Sequence, residues 1–141
     1  MVTKAINKFY EQKKLRNWEI GYWAFDIHGT ILKPNYKLGN IPSQFYPMAK
    51  ETLQLISKFK DITMLLYTCS HPHEIEEYLK LFKENDINFT WVNENKDVTT
   101  NIYGYGNYDK KPYMNVLFED KAGFDADNDW QEIYSLMLLK C

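Results

Sequence analysis

Ile20-Gly21-Tyr22-Trp23-Ala24-Phe25-Asp26-Ile27-His28-Gly29-Thr30 is the stretch on which the reading of the fold turns. An apolar and aromatic run over residues 20–25 stops at a carboxylate, with a glycine just beyond, the pattern of a strand that ends in a functional loop. Upstream, Ile6, Phe9, Tyr10 and Leu15 can share one side of a helix over 3–16, with Lys4, Lys8, Lys13, Lys14 and Arg16 left in water. Downstream, 33–47 holds Pro34, Pro42, Pro47 and Gly39, which predicts a loop or small hairpin. Apolar spacing then predicts a helix over 48–60, a strand over 62–67, and a helix over 72–85 carried by Ile75, Tyr78, Leu79 and Phe82. A short strand over 89–92 follows. Residues 94–113 are polar, glycine-containing and tyrosine-rich, and read as a long ordered loop of the kind that more often serves a site than a core. A last strand over 114–118 ends in Glu119 and Asp120, ahead of a C-terminal helix.

Strands alternating with helices predict an α/β fold, a Rossmann-like three-layer arrangement whose mainly parallel sheet is covered on both sides. Ligands of such sheets sit at the carboxyl ends of the strands. Asp26, Thr68 and Asp120 each follow an apolar run directly, so three distant positions are expected to converge on one rim. At 141 residues the chain suits one domain over 1–141. With 45% hydrophobic and 26% charged residues it has a globular balance, and no apolar run approaches the roughly 20 residues of a membrane helix. The N-terminus lacks the features of a secretory signal, and Cys69 and Cys141 make neither a disulfide framework nor a zinc spacing, so a reducing cytoplasmic setting is expected. A net charge of -2 argues against a broad nucleic-acid footprint, though it leaves room for a local patch.

A lone aspartate after a strand is weak evidence, but Phe25-Asp26-Ile27-His28-Gly29-Thr30 resembles the first signature of the haloacid dehalogenase (HAD) superfamily, Asp-x-Asp-Gly-Thr. Leu65-Leu66-Tyr67-Thr68 resembles the second, an apolar strand ending in Thr or Ser, and Lys111-Pro112 takes the place of the third. Phe118-Glu119-Asp120, with Asp125 five residues after Asp120, resembles the fourth. All four come in order, and the short spacings leave no room for an inserted cap domain. Thr68-Cys69, Val92-Asn93-Glu94-Asn95 and Lys111-Pro112-Tyr113 are similar to segments of small capless members of that superfamily. The resemblance spans roughly residues 20–127.

What it implies is a magnesium-dependent phosphohydrolase, a phosphomonoesterase working through an aspartyl-phosphate on a small phosphorylated substrate. Asp26 would be the nucleophile, and magnesium would be held by Asp26, the main-chain carbonyl of His28 and Asp120, an oxygen set suited to a hard cation. Glu119 and Asp125 would be outer ligands or water holders. Thr68 would bind a phosphate oxygen, and Lys111 would meet the equatorial charge, although Lys110 and Lys121 offer the same cation. The departure from the pattern is His28, which stands where the superfamily has the aspartate that protonates the leaving group. Imidazole can serve as acid or base near neutral pH, so retained turnover is one reading. The alternative is a catalytically impaired module that binds a phosphorylated ligand or a protein partner.

Blander readings stand beside several of these residues. Thr68 or Ser70 could cap the helix that follows, and Asp125, Asp127 and Asp129 could simply favour the start of the last helix. His71 and His73 are spaced i and i+2, which does not converge on a metal, so exposure is expected. Gly104 and Gly106 lie in no strand-to-helix context and read as loop. Tyr103, Tyr105, Tyr108 and Tyr113 could wall a ligand, yet in a chain with 11 tyrosines packing is the simpler role. Cys69 lacks the partner pattern of a nucleophile. An uncapped site would be open unless the 94–113 loop or a homo-oligomer contact covers it.

Overall fold

Four short apolar runs form a parallel sheet in the order β3-β2-β1-β4, built from β1 (Gly21–Phe25), β2 (Ile62–Leu66), β3 (Trp91–Val92) and β4 (Val116–Phe118). The computed structural model describes residues 2–37, 39–101, 104 and 106–141. Phe25 lies opposite both Leu66 and Phe118, so the carboxyl ends of β1, β2 and β4 finish side by side. Around the sheet are α1 (Val2–Leu15), α2 (Ala49–Ile56), α3 (Pro72–Glu84) and α4 (Asp129–Leu138).

Period-two alternation puts Gly21, Trp23 and Phe25 on one face of β1. That face is aromatic and carries the helices. Phe25 stacks on Phe118 at 4.4 Å and on Trp130 of α4 at 6.1 Å, and meets Phe89 edge-on at 6.0 Å. Phe9 of α1 packs edge-to-face on Trp23 at 5.6 Å. A Cβ at position 21 would sit 2.1 Å from the Phe9 ring, so glycine there is what lets α1 lie against the sheet. Tyr78 and Phe82 are the buried residues of α3, and Phe82 packs on Phe89 and Phe45. Each such ring removed from water contributes about 1.5–3 kcal/mol.

The opposite face bears Tyr22, Ala24, Leu65 and Trp91, and it is covered by the connection between β3 and β4. Tyr22 meets Tyr113 edge-on at 5.9 Å, its hydroxyl donates to Asp97 at 3.4 Å, and the Lys96 ammonium lies 5.3 Å over Trp91. Buried Asn95 ties this connection together by donating to the Tyr113 carbonyl at 3.1 Å and accepting from the Asp97 amide at 3.0 Å. The three layers are therefore helices, sheet and the described residues of this crossing segment.

Element limits are tighter than the sequence predicts, and the reasons are local. At the start of β4, Asn115 uses its side chain to accept from the Tyr22 amide at 2.7 Å, which replaces a ladder bond and shortens the strand to residues 116–118. Met48 has φ 64, so α2 starts after it, and i→i+3 bonds from Lys58 to Leu55 and Phe59 to Ile56 end it. The 33–47 loop closes on itself through a Leu32–Phe45 bridge and a 2.8 Å bond from the Lys33 amide to the Gln44 carbonyl. Among the described residues no helix is long and apolar enough to cross a membrane.

Candidate functional site

Because β1 and β4 are parallel neighbours in register, the residues that follow them emerge side by side. The Asp26 amide donates to the Phe118 carbonyl at 3.0 Å, and one carboxylate oxygen each of Asp26, Glu119 and Asp120 lies within 4.8 Å of the others. The turn after Asp26 is shaped to admit Asp120. Gly29 has φ 78, and a Cβ on it would stand 2.6 Å from the Asp120 Oδ2, so any other residue there would crowd that carboxylate. Buried Thr30 accepts the Asp120 amide on its hydroxyl at 3.1 Å, and its carbonyl accepts Trp130 Nε1 at 2.8 Å. Helix α4 thus holds the loop that holds the acid.

Burial pushes the Asp26 carboxyl up to about 6, with the Ile27 amide pulling the other way; Asp120 and Glu119 raise it further, and Lys121 lowers it. Among the described residues the ion pairs are Lys13–Asp61 and Lys96–Glu94, so none of the three clustered carboxylates has a direct cationic partner. An all-oxygen set of three closely spaced acids, Asp26 and Glu119 half-buried and Asp120 exposed, fits a hard divalent cation.

Across the edge, β2 delivers Thr68, which is buried. Asn93, at the end of β3 with φ 55, accepts the Thr68 amide on Oδ1 at 2.8 Å and donates from Nδ2 to the Thr68 carbonyl at 2.7 Å. Both backbone groups of Thr68 are fixed by one side chain. The Thr68 hydroxyl pairs with the Ser70 hydroxyl at 2.8 Å and accepts the Ser70 amide at 3.2 Å. Neither residue caps α3: the N-cap is His71, whose amide donates to Glu74 at 2.9 Å, with Pro72 next in line. His71 and His73 are exposed and stack on each other at 5.8 Å.

His28 reaches α3, where its Nε2 lies 2.6 Å from the Tyr78 hydroxyl, with the rings edge-on at 5.5 Å. Burial pushes the Tyr78 phenol up to about 12, and Glu74 and Glu77 add to it.

Asp26, His28, Thr68 and Asp120 line one cleft of about 740 Å³, as do Gly29, Cys69, Glu74, Tyr78, Asn93 and Glu119. Its far wall comes from the 33–47 loop, through Pro34, Tyr36, Lys37, Asn40 and Pro42. Besides Lys37, the lysines in the wall are Lys110 and Lys121; Lys111 is exposed and does not line the cleft. Asp125 is exposed and also outside it: its carboxylate accepts the Asp127 amide and the Asn128 side chain, and its own amide donates to Asp129, a turn that leads into α4. Tyr108 and Tyr113 pack on each other at 5.5 Å and do not line the cleft, whereas Tyr103 and Tyr105 lie outside the described residues.

Sequence reasoning named Asn93 only as part of a segment and Tyr78 only as a helix residue. Asparagine directly after an apolar run was the available signal for the first, since that residue type tolerates φ > 0 and can pair with a backbone amide. Nothing local marks a contact between positions 28 and 78.

No family model and no curated protein matches the chain. Among solved structures, the chain is similar to a conserved protein coded by a locus from Bacteroides thetaiotaomicron, with a TM-score of 0.62 and 21% identity over 86% of this chain and 93% of that one. At that identity the likeness carries the fold: a parallel α/β sheet of Rossmann-like, three-layer type.

Proposed function

We propose that the chain is a magnesium-dependent phosphohydrolase of the capless HAD type, acting on phosphomonoesters through an aspartyl-phosphate on Asp26. The observation that carries this reading is the approach of Asp26, Glu119 and Asp120 to within 4.8 Å at a strand edge shared with Thr68. Magnesium held by Asp26, Asp120 and the His28 carbonyl, with Glu119 in reach, would supply the positive charge without which a carboxylate is repelled by a phosphate dianion.

The chain's own groups account for the rest. An Asp26 oxygen attacks phosphorus, the bond from phosphorus to the leaving oxygen breaks, and water later releases phosphate from Asp26. Thr68, held by Asn93, offers its hydroxyl to a phosphate oxygen. The equatorial charge is met by Lys110 and Lys121, which line the cleft, in place of Lys111. Lys121 already acts on the Asp26 carboxylate.

A second reading has one observation in its favour: one nitrogen of the His28 ring is engaged by Tyr78, so the side chain that replaces the usual acid is partly tied up. On that reading the cleft binds a phosphorylated ligand or protein partner without turnover. Phosphate release from an aryl phosphate and a small panel of metabolites, in magnesium or in EDTA, separates the two. The proposal expects magnesium-dependent release by the wild type, lost in Asp26→Asn. No release by the wild type, with release restored by His28→Asp, would establish the binding module instead.

A further inference from the structure

We infer that Tyr78 is a positioning residue that keeps the proton of neutral His28 on Nδ1, so that the histidine offers the cleft a hydrogen-bond donor and no basic nitrogen. Tyr78 has 0% of its surface exposed, and its hydroxyl carries one proton that needs an acceptor. Its partner among the described residues is His28 Nε2, at 2.6 Å. Were Nε2 to carry the ring proton, two hydrogens would compete for the line between these atoms, and the phenol proton would be stranded in the wall. Nε2 therefore accepts, and the ring proton sits on Nδ1. The phenol itself is held by a packed column: Tyr78 stacks with Phe82 at 6.4 Å, and Phe82 is wedged between Phe45 and Phe89.

This has a consequence for the substrate class that rests on the phosphohydrolase reading. When the bond from phosphorus to the leaving oxygen breaks, the electron pair goes to that oxygen. His28 Nδ1–H can hydrogen-bond to it. From the neutral ring, handing the proton over would require Nε2 to take one from Tyr78 and leave a buried phenolate, which is strongly disfavoured. The leaving group therefore departs as its anion, and the cleft is set for phosphoryl groups on stable anions, the aryl and acyl phosphates, over alkyl esters.

Long-range proton–nitrogen spectra of uniformly ¹⁵N-labelled protein test the first part. They would be recorded at about pH 8.5, above the ordinary imidazole range of ~6.5, with His28 assigned by its absence in His28→Asn. The expected result is an unprotonated Nε2 and a protonated Nδ1, shifting toward the Nε2–H form in Tyr78→Phe, which removes one oxygen and keeps the ring. A protonated Nε2 in the wild type, or a tautomer unchanged by Tyr78→Phe, overturns the inference. For the second part, at the same pH the wild type should prefer aryl over alkyl phosphates in kcat/KM by about 100-fold or more, the size of a missing acid, and Tyr78→Phe, whose Nε2–H form leaves no Nδ1–H to meet the leaving oxygen, should keep or widen that ratio. A wild-type preference below about tenfold, or a ratio that narrows in Tyr78→Phe while the tautomer changes, overturns the substrate class. No phosphate release from any ester, with the Nδ1–H tautomer present, counts against the phosphohydrolase reading and for the positioning role.

Discussion

Asp26 holds its proton more tightly in the folded chain than an unfolded chain would, about 6 against 3.8, because the backbone turn buries it and two further acids stand beside it. A raised carboxyl pKa adds stability that is complete below the unfolded value and is lost as pH climbs through the folded one. The metal-free protein should therefore melt at progressively lower temperature from about pH 4 to above pH 6, and Asp26→Asn should flatten that slope. With the carboxyl only partly shielded from water, the Asn variant should be more stable at pH 7 by on the order of 1 kcal/mol. Thermal melts in EDTA across that range check this. A wild type whose stability rises over the same window would contradict it. At Thr68 the corresponding test is Asn93→Ala, which removes both bonds that fix the Thr68 backbone and puts alanine at φ 55. It should cost about 2–3 kcal/mol in urea unfolding and lower turnover at least tenfold. Asp26, Thr68 and Asp120 were legible because each ends an apolar run. Asn93 and Tyr78 act through partners 25 and 50 residues away, and spacing alone does not reveal such pairs.

Helices and strands were readable in kind and order, since each apolar period is sustained long enough to decide between 3.6 and 2. Their ends were not, because side chains settle them: Asn115 replaces a ladder bond before β4, and Met48 turns left-handed before α2. Which layer each element would join was also hidden. Every helix is amphipathic, and nothing in its own pattern says which sheet face it will cover; the aromatic alternation Trp23, Phe25 and Phe118 settles that only once the strands are paired. The docking of α1 offers a sharp check. Gly21→Ala would drive a methyl into the Phe9 ring and should destabilise by about 1–3 kcal/mol. Gly21→Ala with Phe9→Leu should lose less than the sum of the two single changes, because the smaller side chain vacates the contested space. Strict additivity in denaturant melts would mean that α1 does not rest on β1 there.

At the scale of the molecule, the sheet order β3-β2-β1-β4 brings three chain segments to one edge: the turn after Asp26, the Thr68 loop and the Glu119–Asp120 pair. That convergence was predictable from alternating strands and helices, because parallel strands must all finish on the same side. The cleft wall was less so. It draws on the 33–47 loop and on Lys110 in the crossing segment, both shaped by turns and packing that carry no periodic signal. The central claim is that Asp26 is a nucleophile served by a cation and a phosphate cradle, and trifluoroberyllate, which bonds to an aspartate oxygen as a phosphoryl group does, tests it without requiring turnover. In ¹⁹F spectra of the protein with beryllium fluoride, a bound trifluoroberyllate signal should appear with magnesium, disappear with EDTA and be absent from Asp26→Asn; no bound signal with magnesium, or one that survives Asp26→Asn, would contradict the account.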